Sequence, residues 1–231
     1  MKIKLVTGTM SNANNYEELP IIKSYNKLKN IGDIDIEIFL NNKLGLSKIY
    51  NQAIKKHKDD CDVIIFAHDD LFISDLFLFE KLEKAFKEYD IVGVAGTNNF
   101  SLSNLPRKEL PISWVNSDHK GWSGFVEHPL ENKKATAETY MNVFGKTPLE
   151  VVTMDGLFIA CKTEIFKNPK IRFDEIFNFD FYDLDFCINS YLNNSVLGIT
   201  NIYTTHLSRG EGMLTKKYKE TEELFLQKWK K

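Results

Sequence analysis

The apolar run Val63-Ile64-Ile65-Phe66-Ala67 empties directly into His68-Asp69-Asp70. Carboxylates at the end of a buried strand can hold Mg2+ or Mn2+ through oxygen ligands and leave coordination sites open for a diphosphate. The bland alternative is a loop that simply begins on Asp, as loops often do. Two further clusters add weight to the chemical reading. The first is Phe179-Asp180-Phe181-Tyr182-Asp183-Leu184-Asp185, which opens a helical stripe. With Leu184 turned to the core, Asp183 and Asp185 lie about 100° to either side of it. Acids in a first turn are favoured by the helix dipole whatever their role. Asp183 is nonetheless well placed to take a proton from a hydroxyl. The second is Thr204-Thr205-His206-Leu207-Ser208-Arg209-Gly210, immediately after a strand. A neutral His206 imidazole can complete a metal shell of carboxylates, and Arg209 can meet a phosphate oxygen. Taken alone, such a histidine is more often a hydrogen-bonded structural residue.

These residues need elements to hold them. Ile3 to Thr7 reads as a short strand ending at Gly8, and Leu19, Ile22, Tyr25 and Leu28 recur at helical spacing. Ile34, Ile36, Ile38 and Leu40 alternate as a second strand. Leu46, Ile49, Tyr50, Ala53 and Ile54 form one helical face. Ser74 is placed to cap a helix with the stripe Leu78, Phe79, Leu82, Ala85 and Phe86, and Ile91 to Gly96 is a fourth strand. Strand–helix alternation of this kind predicts an α/β fold with a mostly parallel, Rossmann-like central sheet flanked by helices. Ligands of such sheets bind beyond the C-terminal strand ends. Thr7-Gly8-Thr9, Asn41-Asn42, His68-Asp69-Asp70 and Thr97-Asn98 share that rim. Periodicity lapses between about Asn98 and Leu149, where Trp114 and Trp122 fall, and a long irregular stretch usually serves function. Strand character resumes at Val151-Val152 and at Leu157 to Cys161. A helical stripe follows at Leu184, Cys187, Ile188, Tyr191 and Leu192, then a strand from Val196 to Tyr203.

The chain of 231 residues is 43% hydrophobic and 27% charged, with 30 basic and 32 acidic residues. A net charge of −2 argues against a nucleic-acid partner, which calls for a basic excess or stripe. Cys61, Cys161 and Cys187 lie apart among apolar neighbours, without zinc-site spacing, and read as reduced core thiols of a cytoplasmic protein. No apolar run approaches the roughly 20 residues of a membrane helix. The basic amphipathic segment Lys216 to Lys231 offers a peripheral membrane contact, but docking on the domain is the favoured reading. With no linker or repeat in view, one domain spans 1–231. It divides into 1–97, 98–213 and a C-terminal helix at 214–231.

In this order the pieces resemble the glycosyltransferase family 2 type of the GT-A fold, most closely a small bacterial and viral glycosyltransferase-like subgroup. The resemblance is carried by Gly45-Leu46-Ser47-Lys48-Ile49-Tyr50-Asn51-Gln52-Ala53-Ile54 and by the strand ending in His68-Asp69-Asp70. It continues through Met154-Asp155-Gly156, Phe173-Asp174-Glu175, Tyr182-Asp183-Leu184-Asp185 and His206. It implies that Asp70 is the last acid of a DxD metal motif whose first Asp is replaced by His68. It also implies that Asp183 is the base of a Glu-Asp pair whose Glu is replaced by Tyr182. His206 then stands as the C-terminal metal ligand, with 1–97 implied as the nucleotide-binding half and 98–213 as the acceptor and catalytic half. Thr7, Gly8, Asn42, Asn51, Asp69 and Arg209 fall to the nucleotide and its phosphates. Asp155, Gly156 and Asp185 fall to donor sugar and acceptor. Trp114 and Trp122 are divided evenly between stacking on an acceptor sugar and filling the core. Arg107 is a candidate for the acceptor side.

The implied activity is a metal-dependent transferase using Mn2+ or Mg2+ and a nucleotide-sugar donor, UDP-sugar by default. It delivers the sugar to a hydroxyl of a glycan or other acceptor, and a single displacement with a separate base predicts inversion. Two alternatives stand beside it. A sugar nucleotidyltransferase needs a basic Gly-rich loop after the first strand, where this chain has Thr7-Gly8-Thr9-Met10-Ser11-Asn12. A non-catalytic nucleotide- or carbohydrate-binding module on the same fold is kept open by His68 and Tyr182.

Overall fold

The structure, a computed structural model, describes residues 1–100, 112–130, 139–207 and 215–229. Its first part comprises β1 (Ile3–Gly8), α1 (Pro20–Leu28), β2 (Ile34–Phe39), α2 (Leu46–His57), β3 (Val63–Ala67), β4 (Leu71–Ile73), α3 (Leu78–Ala85), β5 (Ile91–Gly93) and β6 (Ala95–Thr97). The three helices and first three strands fall where the sequence predicts, β4 is unforeseen, and the fourth strand read from Ile91 to Gly96 is split between two sheets. The rest comprises β7 (Trp122–Pro129), β8 (Thr139–Gly145), β9 (Leu149–Val151), β10 (Thr153–Met154), β11 (Phe158–Lys162), α4 (Tyr182–Leu192), β12 (Leu197–Ile199), β13 (Thr204–His206) and α5 (Lys216–Trp229). Strand β3 is buried along its whole length, as expected of a central strand with both faces covered.

The larger sheet has the order β2-β1-β3-β11-β5-β12-β9. It is mixed rather than mostly parallel. β1 runs parallel to β2 and β3, and β12 parallel to β5, whereas β11 is antiparallel to β3 and β5, and β9 to β12. β11 enters this sheet from β10 of a smaller sheet through the tight turn Asp155–Leu157, and it runs against both of its neighbours. That smaller sheet, in the order β10-β6-β7-β13-β4 with β8 on β7, stands beside the larger.

Three further expectations for the local elements fail. Of the strand read from Val196 to Tyr203 only β12 forms, and His206 ends a separate strand, β13. The stretch read as irregular contains the antiparallel pair β7–β8. Most β8 side chains are exposed or half-buried, so no apolar alternation marks that strand in the sequence. Ser74 does not cap α3. Its hydroxyl donates to the Tyr203 carbonyl, and the Asp75 carboxylate instead accepts from the Phe77 N–H at 3.0 Å.

The core joins both halves of the chain. Phe66 of β3 packs against Tyr50 of α2 at 4.7 Å between ring centroids and against Phe173 at 5.1 Å, and Phe173 stacks on Phe186 of α4 at 4.1 Å. All three cysteines are buried thiols. Helix α5 docks on this body with Tyr218 and Phe225 inward, and the Tyr218 hydroxyl donates to the Ile112 carbonyl at 2.6 Å. Among the described residues no helix is long and apolar enough to cross a membrane.

Candidate active site

Two tight connections and the start of a helix meet at the ends of the central strands. His68-Asp69-Asp70 turns from β3 into β4. Because β13 pairs with β4 in the register His206↔Leu71, His206 comes to lie beside Asp70. The turn Asp155-Gly156-Leu157 joins β10 to β11. Its Leu157 carbonyl accepts the His68 backbone N–H at 3.1 Å, which seats the turn against the histidine. The first turn of α4 completes the group with Tyr182 and Asp183.

Ligating atoms of His68, Asp70 and His206 all lie within 4.8 Å of one another. His206 Nε2 stands 3.2 Å from Asp70 Oδ1. Burial works to lower the His206 pKa, but the hydrogen bond and charge of Asp70 prevail and hold it above the ordinary value. His68 moves the other way: burial, then the neighbouring His206 charge, lowers it and keeps the imidazole neutral. One neutral imidazole, a second imidazole and a carboxylate at this spacing form a donor set that fits a divalent cation.

Asp183 is held through both oxygens. Oδ2 accepts from the Gly156 N–H at 2.9 Å, and Oδ1 accepts from the Leu184 N–H at 2.9 Å. Loss of solvent and, next, the negative charge of Asp155 push its pKa up to about 7, against the backbone hydrogen bonds that favour the anion. A carboxylate so tuned can accept a proton near neutral pH. Asp155 is itself fixed, with Oδ1 accepting from the Leu157 N–H at 3.0 Å and Oδ2 from the Trp114 indole N–H at 3.0 Å.

Beside this cluster opens a cleft of about 690 Å3, lined by Gly8 and Thr9 at the end of β1, Asn42 and Gly45 before α2, Asp69, and Lys217 of α5. Close packing shapes its floor. A Cβ on Gly8 would come within 2.3 Å of Ile49 Cδ1, and one on Gly45 within 2.5 Å of Asn178 Cα. The cations Lys43 and Lys217 and the exposed faces of Met10 and Phe179 share this cleft.

The sequence-derived candidates divide accordingly. Gly8, Asn42 and Asp69 line the cleft, while His68, Asp70, His206, Asp155 and Asp183 gather into one cluster outside its lining. Others have different work. Thr7 is fully buried and outside the lining. Asn51 does not face the cleft. Its amide donates to the Phe173 carbonyl at 2.8 Å and its oxygen accepts from the Phe173 N–H at 3.1 Å, pinning that segment to α2. Gly156 serves as a scaffold, its N–H spent on Asp183 and its carbonyl on Tyr182. Trp114 is buried and packs edge-on against Trp122 and Phe144, so it positions Asp155 rather than offering a sugar a face. Trp122 is half-buried and donates to Ser117 Oγ at 3.1 Å.

Asp185 is a correction. It is fully buried beneath α5, where Oδ1 meets the Trp229 indole N–H at 2.9 Å and Lys228 Nζ at 2.7 Å. The helical stripe drawn through Leu184 anticipates only one covered face, whereas α5 covers a second. Arg172 donates to the Asn168, Ile171 and Phe166 carbonyls as a local staple. Arg107 and Arg209 lie outside the described residues. Two residues escaped the sequence reading. His128, on β7 beside β13, has its ring centroid 5.9 Å from that of His206, and Lys217 reaches the cleft only because α5 docks.

A family model described as "Glycosyltransferase like family" matches residues 6–229. Among solved structures, A197 from STIV is 15% identical with a TM-score of 0.52, the match covering 90% of this chain and 87% of that one. The catalytic domain of Drosophila beta1,4galactosyltransferase 7, crystallised with xylobiose, is 13% identical with a TM-score of 0.51, covering 96% of this chain and 79% of that one. No curated protein matches the sequence at a significant level. At these identities the structural likeness speaks for the fold, which is GT-A.

Proposed function

Because the chain belongs to the glycosyltransferase-like family, we propose that this GT-A glycosyltransferase is metal-dependent, takes its sugar from a nucleotide-diphosphate donor, and transfers it with inversion to an acceptor hydroxyl. The observation that carries the reading is the arrangement at one rim. A His–Asp–His donor set and a carboxylate tuned to about pH 7 lie side by side next to a cleft with two lysines.

The cleft at the ends of β1 and β2 supports a nucleotide, with UDP the favoured base on family grounds. Lys43 and Lys217 supply positive charge for its phosphates, and Asn42 supplies polar contacts. His68, Asp70 and His206 would hold the cation. Two imidazoles in three donors favour Mn2+ over Mg2+, which prefers an all-oxygen shell. Such an ion neutralises the charge that grows on a departing diphosphate. Asp183 takes the proton of the attacking acceptor hydroxyl, and Asp155 lies beside it on the sugar side. A base separate from the leaving group, acting in one displacement, gives inversion. Trp122 remains the aromatic candidate for acceptor contact.

Thermal unfolding with UDP, GDP and CMP, each with and without Mn2+, tests the binding half. Stabilisation by one nucleotide and its enhancement by Mn2+ are expected, and no shift with any nucleotide refutes the donor assignment. Asp70→Asn should erase the Mn2+-dependent increment. Asp183→Asn should bind as the wild type does yet lose turnover by about 10^2- to 10^4-fold, the usual contribution of a positioned base.

A further inference from the structure

His68 and Tyr182, which the resemblance reads as standing for an Asp and a Glu, touch each other. His68 Nε2 and the Tyr182 hydroxyl are 2.9 Å apart, and that hydroxyl lies 2.8 Å from the Gly156 carbonyl oxygen. A carbonyl oxygen only accepts, so the single hydroxyl proton of Tyr182 is committed to Gly156. The same hydroxyl oxygen therefore accepts from His68, and Nε2 carries the ring proton. Nδ1 is left with its lone pair. The geometry is tightly enforced: Tyr182 is fully buried, and a Cβ on Gly156 would fall 2.2 Å from its hydroxyl oxygen.

We propose that Tyr182 is a positioning residue that fixes the Nε2–H tautomer of His68 and so presents His68 Nδ1 as a ligand to the divalent cation. This rests on the metal-dependent reading above. It gives the contact between His68 and Tyr182 a chemical reason. An Asp ligand needs no tautomer to be chosen, whereas a His ligand does, and a partner that accepts from the second ring nitrogen makes the choice. A Glu at position 182 would bring a charge into a fully buried position, while Tyr brings an oriented hydroxyl.

The test uses the full-length chain. Long-range 1H–15N correlation spectra of metal-free protein report the tautomer of each histidine, with His68→Asn identifying the signal. The wild type should show Nε2–H at His68, and Zn2+ addition should move the Nδ1 resonance. Tyr182→Phe should lose the single tautomer and weaken Mn2+ binding, read by titration calorimetry, by about 10- to 100-fold, as loss of an outer-shell partner does. A wild-type Nδ1–H tautomer, or unchanged Mn2+ affinity in folded Tyr182→Phe, overturns the proposal while leaving the metal reading standing. Wild-type protein that binds no divalent ion overturns both, and it is the calorimetry that shows the metal reading at fault. The wild-type spectrum decides the tautomer even if the variant fails to fold.

Discussion

The chemistry of individual residues here is set mainly by what surrounds two carboxylates. Asp183 accepts two backbone N–H bonds that favour its anion, yet lost solvation and the nearby Asp155 outweigh them and bring the pKa to about 7. In the proposed mechanism the base is the ionised form of Asp183, so the rate of transfer should rise with pH on an acidic limb centred near 7. Asp155→Asn removes the repelling charge and should move that limb to lower pH, which a pH–rate profile of kcat/KM will show. The folding linkage has the matching sign. The contribution of Asp183 to stability is fully present below the ordinary carboxylate pKa and is lost as pH climbs through about 7. The sequence marks Asp183 by its place in a first turn. It does not mark the tuning, because Asp155 reaches Asp183 only through the β10–β11 turn.

At the scale of elements, the site depends on how the β10–β11 turn abuts the start of α4. Gly156 donates to Asp183, accepts from Tyr182, and leaves no room for a side chain. Gly156→Ala should therefore push both residues aside. A stability loss of about 1–3 kcal/mol in urea denaturation is expected from the overpacking, together with a fall in turnover larger than that of a distant core variant of equal stability. The helical and central-strand stripes were legible because one face of each is buried: the covered face of α2 matches Leu46, Ile49, Tyr50, Ala53 and Ile54. Strand β8 was not, since it has no buried face, and α4 was misread, since it has two covered ones.

At the scale of the molecule, the C-terminal helix supports the start of α4 from behind. Phe181, the residue before α4, holds a left-handed backbone with φ of 67°, a conformation costly for a bulky side chain. Its ring is held between Tyr218 and Phe225 of α5, each 5.0 Å away between centroids. Lys228 and Trp229 then fasten the far end of α5 to the buried Asp185. Phe225→Ala should cost about 3–5 kcal/mol, as for other buried aromatics, measured by equilibrium unfolding. Loss of nucleotide-dependent stabilisation in the same variant, even below its melting range, should follow from release of Phe181 and Lys217.

The residue types alone determined the three helices and first three strands of the first hundred residues, the buried cysteines, and the acids and histidines with chemical potential, because periodic burial and local charge are written along the chain. The family resemblance then named the reaction class. Only the tertiary structure decided which polar residues share a site. It turned Asn51, Trp114 and Asp185 into supports and made the central sheet mixed. It also joined His68 to Tyr182 across 114 positions of sequence. Those outcomes rest on contacts between segments far apart in the chain, and local spacing carries no record of them.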